Sequence, residues 1–402
     1  MNLTQDNVVA YFQPILSAET TDIYAYEVLG RYLDNDGKAQ SLGPFFTSPD
    51  TSHEEALRVD RIVRRYAMKK YAEEKRNEYL FINIRLAWLL PFIENPEEMV
   101  TLQLAKEFGI APEKLVIEIT EEDFNSKGEY LRAIVHYKKA GCRIALDDYG
   151  KEASNIDRLA KLQPDIIKIN IDYIHNSEKS YHYREYLRAI AVFADSVGIE
   201  ILYEGVETKR QLDICISSKG RFFQGFLFAI PQASMRDTET NMSVFSTLIA
   251  AAYSAIQTNA ANVESLKNSF DVLVERFFLE NPFDREKINN DEYLIKLFRE
   301  LPEVIRIYLC SRKGIQLSNN IERRSDNIVC KDYKNKYWAW RGYFHEIIKA
   351  FIRGRKSCLT NPYRDFSTKE KICTYCYAIN DDVFLFVDII KELERIDAYV
   401  AG

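Results

Sequence analysis

The chain has 402 residues, of which 47% are hydrophobic and 28% charged, with a formal net charge of -6. That length predicts two or three domains with ample apolar content for folded cores, and the negative balance excludes a surface that coats nucleic acid polymers. No run approaches the roughly 18 apolar residues of a membrane span, the start MNLTQDNVV lacks the basic and apolar regions of a secretory signal, and seven cysteines without regular spacing suit a reducing compartment, so a cytoplasmic protein is expected.

In chain order, the runs FQPI (Phe12 to Ile15), YEVLGR (Tyr26 to Arg31), FINI (Phe81 to Ile84), VIEIT (Val116 to Thr120), IALDD (Ile144 to Asp148), IIKI (Ile166 to Ile169), ILYEGVE (Ile201 to Glu207) and RFFQG (Arg221 to Gly225) read as eight buried strands. Five of them end in an acid or amide, and IIKI carries an inward lysine. A carboxylate at the end of a buried strand is costly unless a cation or hydrogen bonds satisfy it, so the pattern points to a metal site at the strand C-termini. Amphipathic stretches of helical length, such as Asn125 to Ala140 and Tyr183 to Val197, lie between most of these runs. Alternation of strand and helix predicts an α/β fold, a (β/α)8 TIM-like barrel. The gap between YEVLGR and FINI exceeds one crossover, and its strongly helical segment from Glu54 to Lys75 is expected to form an inserted lobe.

Taken together, these residues resemble the EAL-domain family, which binds the second messenger cyclic di-GMP and, when active, hydrolyses it to linear pGpG. The elements fall in the family's order over about the first 235 residues: FQPI; EVLGR in place of the eponymous Glu-Ala-Leu-x-Arg; Asn83; Glu118 and Glu121 in EITE; Asp147 and Asp148 in DDYG; Lys168 in KIN; Glu204 and Glu207 in EGVE; and Gln224 with Pro231 in QGFLFAIP. The resemblance implies that Glu27, Asn83, Glu118 and Asp147 hold one divalent ion, and that Asp147, Asp148 and Glu204 place a second. Magnesium or manganese is expected, with calcium as a non-productive occupant. It further implies catalytic roles for Lys168 and Glu204, nucleotide contacts from Gln13, Leu29, Arg31, Asp148, Gln224 and Pro231, and supporting roles for Glu121 and Glu207. The opposing reading makes these acids ordinary surface or capping groups; it would bury several like charges on adjacent strands without a cation, at great cost.

One departure from the family pattern bears on turnover. After DDYG, catalytically competent members usually continue Thr/Ala-Gly-Tyr-Ser-Ser-Leu, whereas this chain reads Lys151-Glu152-Ala153-Ser154-Asn155-Ile156. Glycine permits backbone angles that a side chain penalises by about 1 kcal/mol or more. The resemblance therefore implies a receptor for cyclic di-GMP that hydrolyses it weakly or conditionally. The alternative is an active phosphodiesterase under control of the C-terminal domain.

The barrel domain is expected over 1–242 and an amphipathic linker helix over 243–280. Ile249, Ala252, Ile256, Asn259, Val263, Leu266, Phe270, Leu273 and Phe277 keep a four-three spacing, which suits either a parallel homodimer with Asn259 in its seam or packing on the chain's own C-terminal domain. Residues 281–402 read as an α+β domain, with strands at Val304 to Ser311, Lys371 to Ile379 and Val383 to Ile389 and a helix from Trp338 to Ile352. The order Trp338-x-x-Arg341-Gly342-Tyr343-Phe344, then Asn361-Pro362-Tyr363-x-Asp365, resembles PAS-like or Cache-like sensory domains and implies an unidentified small-molecule signal or protein partner. Trp338, Trp340, Tyr343, Phe344 and Tyr363 either line a pocket there or form an aromatic core. Cys373 and Cys376 lie inside a predicted strand, where residues three apart face opposite ways, so zinc is not expected.

Overall fold

The structure, a computed structural model, describes residues 3–120, 129–150, 156–235, 242–284, 290–301, 304–324 and 327–390. The chain divides into two compact units, Met1–Tyr253 and Ser254–Gly402. Among the described residues, no helix is long and apolar enough to cross a membrane.

The first unit is a closed barrel built from β1 (Val8–Ser17), β2 (Asp22–Leu33), β3 (Ala39–Ser41), β4 (Tyr79–Asn83), β5 (Leu115–Thr120), β6 (Arg143–Tyr149), β7 (Ile166–Ile169), β8 (Glu200–Tyr203) and β9 (Phe222–Phe223). The order runs β1-β9-β8-β7-β6-β5-β4-β2, and pairing of β1 with β2 closes it; β3 adds to the outer edge of β2. The eight strands expected from the sequence are all present, but the alternation of strand and helix fails at the start. Only four residues, Ala18–Thr21, separate β1 from β2, far fewer than a parallel crossover needs. The two strands therefore pair antiparallel, from Val8 opposite Tyr32 to Ser17 opposite Asp22. β1 is antiparallel to β9 as well, whereas the other barrel neighbours are parallel.

Helices α1 (Gly43–Thr47), α2 (His53–Glu73), α3 (Val100–Phe108), α4 (Glu129–Ala140), α5 (Ile156–Leu162), α6 (Ile171–Lys179), α7 (Tyr181–Val197) and α8 (Lys209–Ser217) follow the strands. The expected inserted lobe is not a lobe. Ser52 caps α2 by accepting a hydrogen bond from the Glu55 backbone N–H, and Val59, Val63, Ala67, Met68 and Tyr71 along the helix join the main core of the barrel unit. α2 is thus the crossover from β2 to β4, and its apolar stripe buries against the strands.

Inside the barrel a separate apolar cluster takes one residue from each of eight strands: Ile15, Ala25, Phe81, Val116, Ala145, Ile166, Leu202 and Phe222. Side chains alternate along a strand, so the next inward layer lies two residues on. Read from the sequence, that layer is Glu27, Asn83, Glu118, Asp147, Lys168, Glu204 and Gln224, with Gln13 two residues back on the antiparallel β1. An apolar plug thereby carries a ring of polar groups at the C-terminal rim of the parallel strands.

The helix α9 (Met242–Glu280) begins in the first unit and ends in the second. Phe245, Ile249 and Ala252 bury in the core of the first unit, and Phe270, Val274 and Phe277 in that of the second. The heptad stripe therefore packs on its own chain at both ends. Between them Ile256 is exposed, and Asn259 and Val263 are half-buried.

The second unit holds α10 (Asn290–Glu300), β10 (Val304–Ser311), β11 (Asn320–Arg324), β12 (Asn327–Lys331), α11 (Gly342–Ile352), β13 (Ser357–Leu359), β14 (Tyr363–Arg364), β15 (Lys371–Ala378) and β16 (Val383–Ile390). The sheet order is β12-β11-β10-β16-β15-β13, with β14 also on β15. Alternate residues supply its two faces. Ile307, Leu309, Tyr375, Leu385 and Val387 pack with α9 and α10, while Tyr308, Cys310, Cys376, Phe384 and Phe386 pack with Phe344 and Ile347 of α11. The helix expected from Trp338 starts at Gly342 instead, because Trp338–Arg341 turns back to pair with the segment after β10: the Trp338 backbone N–H donates to the Gly314 carbonyl.

At the barrel rim, Gly225 adopts φ +156°, and a Cβ added there would meet the Val206 carbonyl oxygen at 2.1 Å and its nitrogen at 2.3 Å. Gly225→Ala is expected to destabilise the protein by about 2–3 kcal/mol, seen as a lower urea midpoint. An unchanged midpoint would contradict this backbone contact.

Candidate metal centre

Lys168, on β7, is only 1% exposed and sits at the centre of the inward polar layer. Its ammonium lies 2.5 Å from Glu118 Oε1, 2.6 Å from Glu204 Oε1, 3.1 Å from Asp147 Oδ1 and 3.4 Å from Glu27 Oε1. Strand register makes this possible. Glu27 ends the pairing of β2 with β4, Asn83 stands beside Glu118, and Thr120 stands beside Asp147. Burial raises the carboxyls of Glu118 and Glu204 well above the ordinary range and that of Asp147 above it, with Lys168 pulling each back and neighbouring carboxylates pushing each further up. Burial alone would lower the Lys168 ammonium, but Asp147, Glu118, Glu204 and Glu27 outweigh it and hold the proton firmly.

One ammonium cannot satisfy four carboxylates. Glu118 is fully buried; its Oε1 is taken by the Lys168 ammonium, and its Oε2 has no hydrogen-bond partner. Glu27 is better served, since Gln224 Nε2 donates to its Oε2 at 2.6 Å. Gln224 also approaches Gln13 Oε1 at 3.3 Å, and Gln13 donates to the Ala229 carbonyl at 3.2 Å. These two amides tie β1, β9 and the following loop to the acid cluster.

Asp147 and Asp148 are consecutive, so in a regular strand they would face opposite ways. The register of β6 on β7 shifts between Leu146 and Tyr149, and Asp148 takes φ +55°, a left-handed conformation that aspartate tolerates better than most residues. Its backbone N–H donates to Asp147 Oδ1 at 2.8 Å, and Asn170 Nδ2 donates to its Oδ1 at 2.7 Å. Asn170 also caps α6, accepting from the Asp172 backbone N–H. Sequence reasoning passed over Asn170, although an asparagine between a strand and a helix is an N-cap signal.

Leu29, Arg31 and Asn83 line a cavity of about 280 Å³ at the rim, walled by Phe46, Trp88 and Thr120 among others. Arg31 is half-buried, lies over the Tyr11 ring and donates to the Gly30 carbonyl at 2.9 Å. Pro231 is half-buried beside Gln232, which exchanges backbone hydrogen bonds with Phe12. Glu207 stands apart from the cluster: its carboxylate is exposed and 3.7 Å from His175, and its backbone N–H is held by Gln211 of the α8 capping box. Glu121 and the altered segment Lys151-Glu152-Ala153 lie outside the described residues.

The donor set fits a hard divalent cation. It is made of carboxylate and amide oxygens, which such ions prefer, it holds more carboxylates than Lys168 can pair with, and it includes the unsatisfied Oε2 of Glu118. Among the described residues, no three of these donors close round one point by themselves, because the carboxylates converge on the ammonium; binding a cation means drawing oxygens away from Lys168. Lys168→Met removes the one cation that the cluster holds among the described residues. In chelator it is expected to cost about 3–5 kcal/mol of stability, and manganese should restore part of this. Equal denaturation midpoints for variant and parent would contradict the electrostatic account.

Comparison with known proteins gives the family of the chain. Residues 1–231 match the EAL domain family, and residues 246–393 match an EAL-domain associated signalling protein domain. The chain is 32% identical over 392 residues to an uncharacterized EAL-domain containing protein of Bacillus subtilis, YkuI, covering 96% of this chain and 94% of that one. It is 26% identical over 232 residues to the cyclic di-GMP phosphodiesterase RocR of Pseudomonas aeruginosa, covering 55% of this chain and 57% of RocR. The crystal structure of Bacillus subtilis YkuI, in complex with its substrate c-di-GMP and calcium, superimposes with a TM-score of 0.87 at 30% identity over 97% of this chain and 98% of YkuI. With a barrel of this topology, and the family's domain matched over more than half its length, the chain belongs to the EAL-domain family.

Proposed function

We propose that this protein binds cyclic di-GMP at the rim of its barrel with divalent cations, acting as a receptor whose hydrolysis of the ligand is slow or conditional. The observation that carries the reading is the inward polar layer, where buried carboxylates from adjacent strands outnumber the one ammonium among them. The complex of YkuI with c-di-GMP and calcium supports it.

In this reading Glu27, Asn83, Glu118 and Asp147 hold one cation, and Asp147, Asp148 and Glu204 hold the second. When bound, such cations supply Lewis acidity toward a phosphoryl oxygen and toward water. Arg31 offers its planar fork to a phosphate, with Leu29 and Pro231 giving apolar contact to the nucleotide and Gln13 and Gln224 polar contact. Lys168 keeps its proton, and its ammonium orients the attacking water or offsets charge developing at phosphorus. Asn170 holds Asp148 in its left-handed conformation. The loop after Glu204 is steadied through the Glu207 backbone N–H, which donates to Gln211. Slow turnover follows from the Lys151-Glu152-Ala153 segment, where the resemblance implies a glycine in competent members.

The C-terminal unit receives a small-molecule or protein signal, and α9 pairs with a second copy through Ile256, Asn259 and Val263. Light scattering after gel filtration should then give twice the 46.9 kDa chain mass, falling to the monomer for Ile256→Glu; a monomeric parent would remove the dimer from the account.

Calorimetric titration with cyclic di-GMP in manganese, with chromatography of the same sample, tests the main claim. Saturable binding with the ligand recovered intact is expected, and Arg31→Ala should weaken it roughly 10–100-fold, the equivalent of one charge-assisted contact. Absence of binding would overturn the proposal. Rapid conversion to pGpG would make the protein an enzyme and set the loop argument aside.

A further inference from the structure

A second cavity, in the C-terminal unit, has chemistry of its own. It encloses about 660 Å³ beside α11, within the range of small-molecule sites. Five basic side chains line it: Arg341, Lys349, Arg353, Arg355 and Arg364. Glu346 is the one carboxylate among the lining residues, and it is taken by Lys349 at 2.8 Å.

Arg353 and Arg355 form no ion pair with a carboxylate among the described residues, Arg364 donates to the Lys369 carbonyl at 2.7 Å, and Arg341 is held by rings. Its guanidinium carbon lies 4.2 Å from the Phe366 centroid, 5.3 Å from Tyr343, 5.4 Å from Trp340 and 5.5 Å from Tyr363. Basic groups near a helix C-terminus offset its dipole, which accounts for Lys349 and Arg353. It does not account for Arg341, before α11, Arg355, before β13, or Arg364, on β14. Arg353 and Arg355, which come from two segments and have no ion pair among the described residues, repel one another on this concave wall unless an anion joins them.

The aromatic side of the wall adds a second requirement. Trp340 is 61% and Phe366 65% exposed, and the two rings stack 6.2 Å apart with planes 8° from parallel. Two large rings left in water at the mouth of a basic cavity form a shelf on which a flat group can stack.

We propose that this cavity binds a small anion carrying a planar ring, its carboxylate or phosphate held by Arg353 and Arg355 and its ring lying against Trp340 and Phe366. The site is separate from the barrel and stands or falls independently of cyclic di-GMP binding. Ligand-observed NMR on the full chain, with chelator present, tests it with three probes of similar shape: benzoate, phenyl phosphate and neutral benzyl alcohol. Saturable binding of at least one anion is expected, with none by the alcohol, and the anion that binds identifies the head group. Arg353→Glu with Arg355→Glu should weaken that binding at least tenfold, and Trp340→Ala should weaken it without abolishing the charge preference. All these positions are exposed, and an unchanged far-ultraviolet spectrum checks that the variants fold. Failure of both anions, equal binding of the alcohol, or undiminished binding by the double variant would overturn the proposal.

Discussion

Burial of Lys168 among Glu27, Glu118, Asp147 and Glu204 is the interaction around which the barrel is arranged. Neither sign of charge is tolerable alone in that interior: an isolated ammonium or carboxylate there would cost several kcal/mol. The two are mutually dependent, yet unequal in number. The imbalance leaves Glu118 Oε2 without a hydrogen bond, and burial, with the neighbouring carboxylates, drives up the carboxyls of Glu118, Glu204 and Asp147. Such a ring is stable enough to fold around lysine and still hungry for cations, which is the condition a metal-dependent binding site must meet.

The apolar layer beneath explains why the ring is rigid. Each of eight strands contributes one inward residue to it, from Ile15 through Phe222, and each polar group stands two residues further toward the same rim, which on the antiparallel β1 is two residues back. A shift of one residue in any strand would exchange a ligand for an outward apolar residue. Strand register, set by hydrogen bonds such as those between β4 and β5, therefore fixes the chemistry. At the rim β6 breaks the pattern: its irregularity and the left-handed Asp148 bring two consecutive aspartates to the end of one strand.

Much of this was legible in the sequence because it rests on a period of two. VIEIT, IALDD, IIKI and ILYEGVE each place an apolar residue and a polar one two positions apart, so the strands and the inward acids could be read together. What could not be read depends on chain geometry. The antiparallel entry of β1 follows from a connection of four residues, visible in the sequence but easily overridden by the alternating pattern that follows it. The helix His53–Glu73 looked detached because the gap was long; its buried stripe shows that it is the crossover. Asn170 escaped notice because its importance comes from Asp148, twenty-two residues earlier, and the left-handed φ there leaves no mark in composition. In the C-terminal unit the strands Val304–Ser311 and Val383–Ile390 were clear from alternation, whereas the charge on the cavity wall came from separate segments that only folding brings together.

The central claim is that the inward layer holds divalent cations, and electron paramagnetic resonance of manganese tests it without reference to turnover. Titrated into the metal-free protein, the signal of free manganese should be suppressed until the site fills, and Glu118→Gln should leave that signal largely undiminished. Manganese that stays free in the presence of the unaltered protein, or binds Glu118→Gln equally well, would show that the carboxylates serve Lys168 alone.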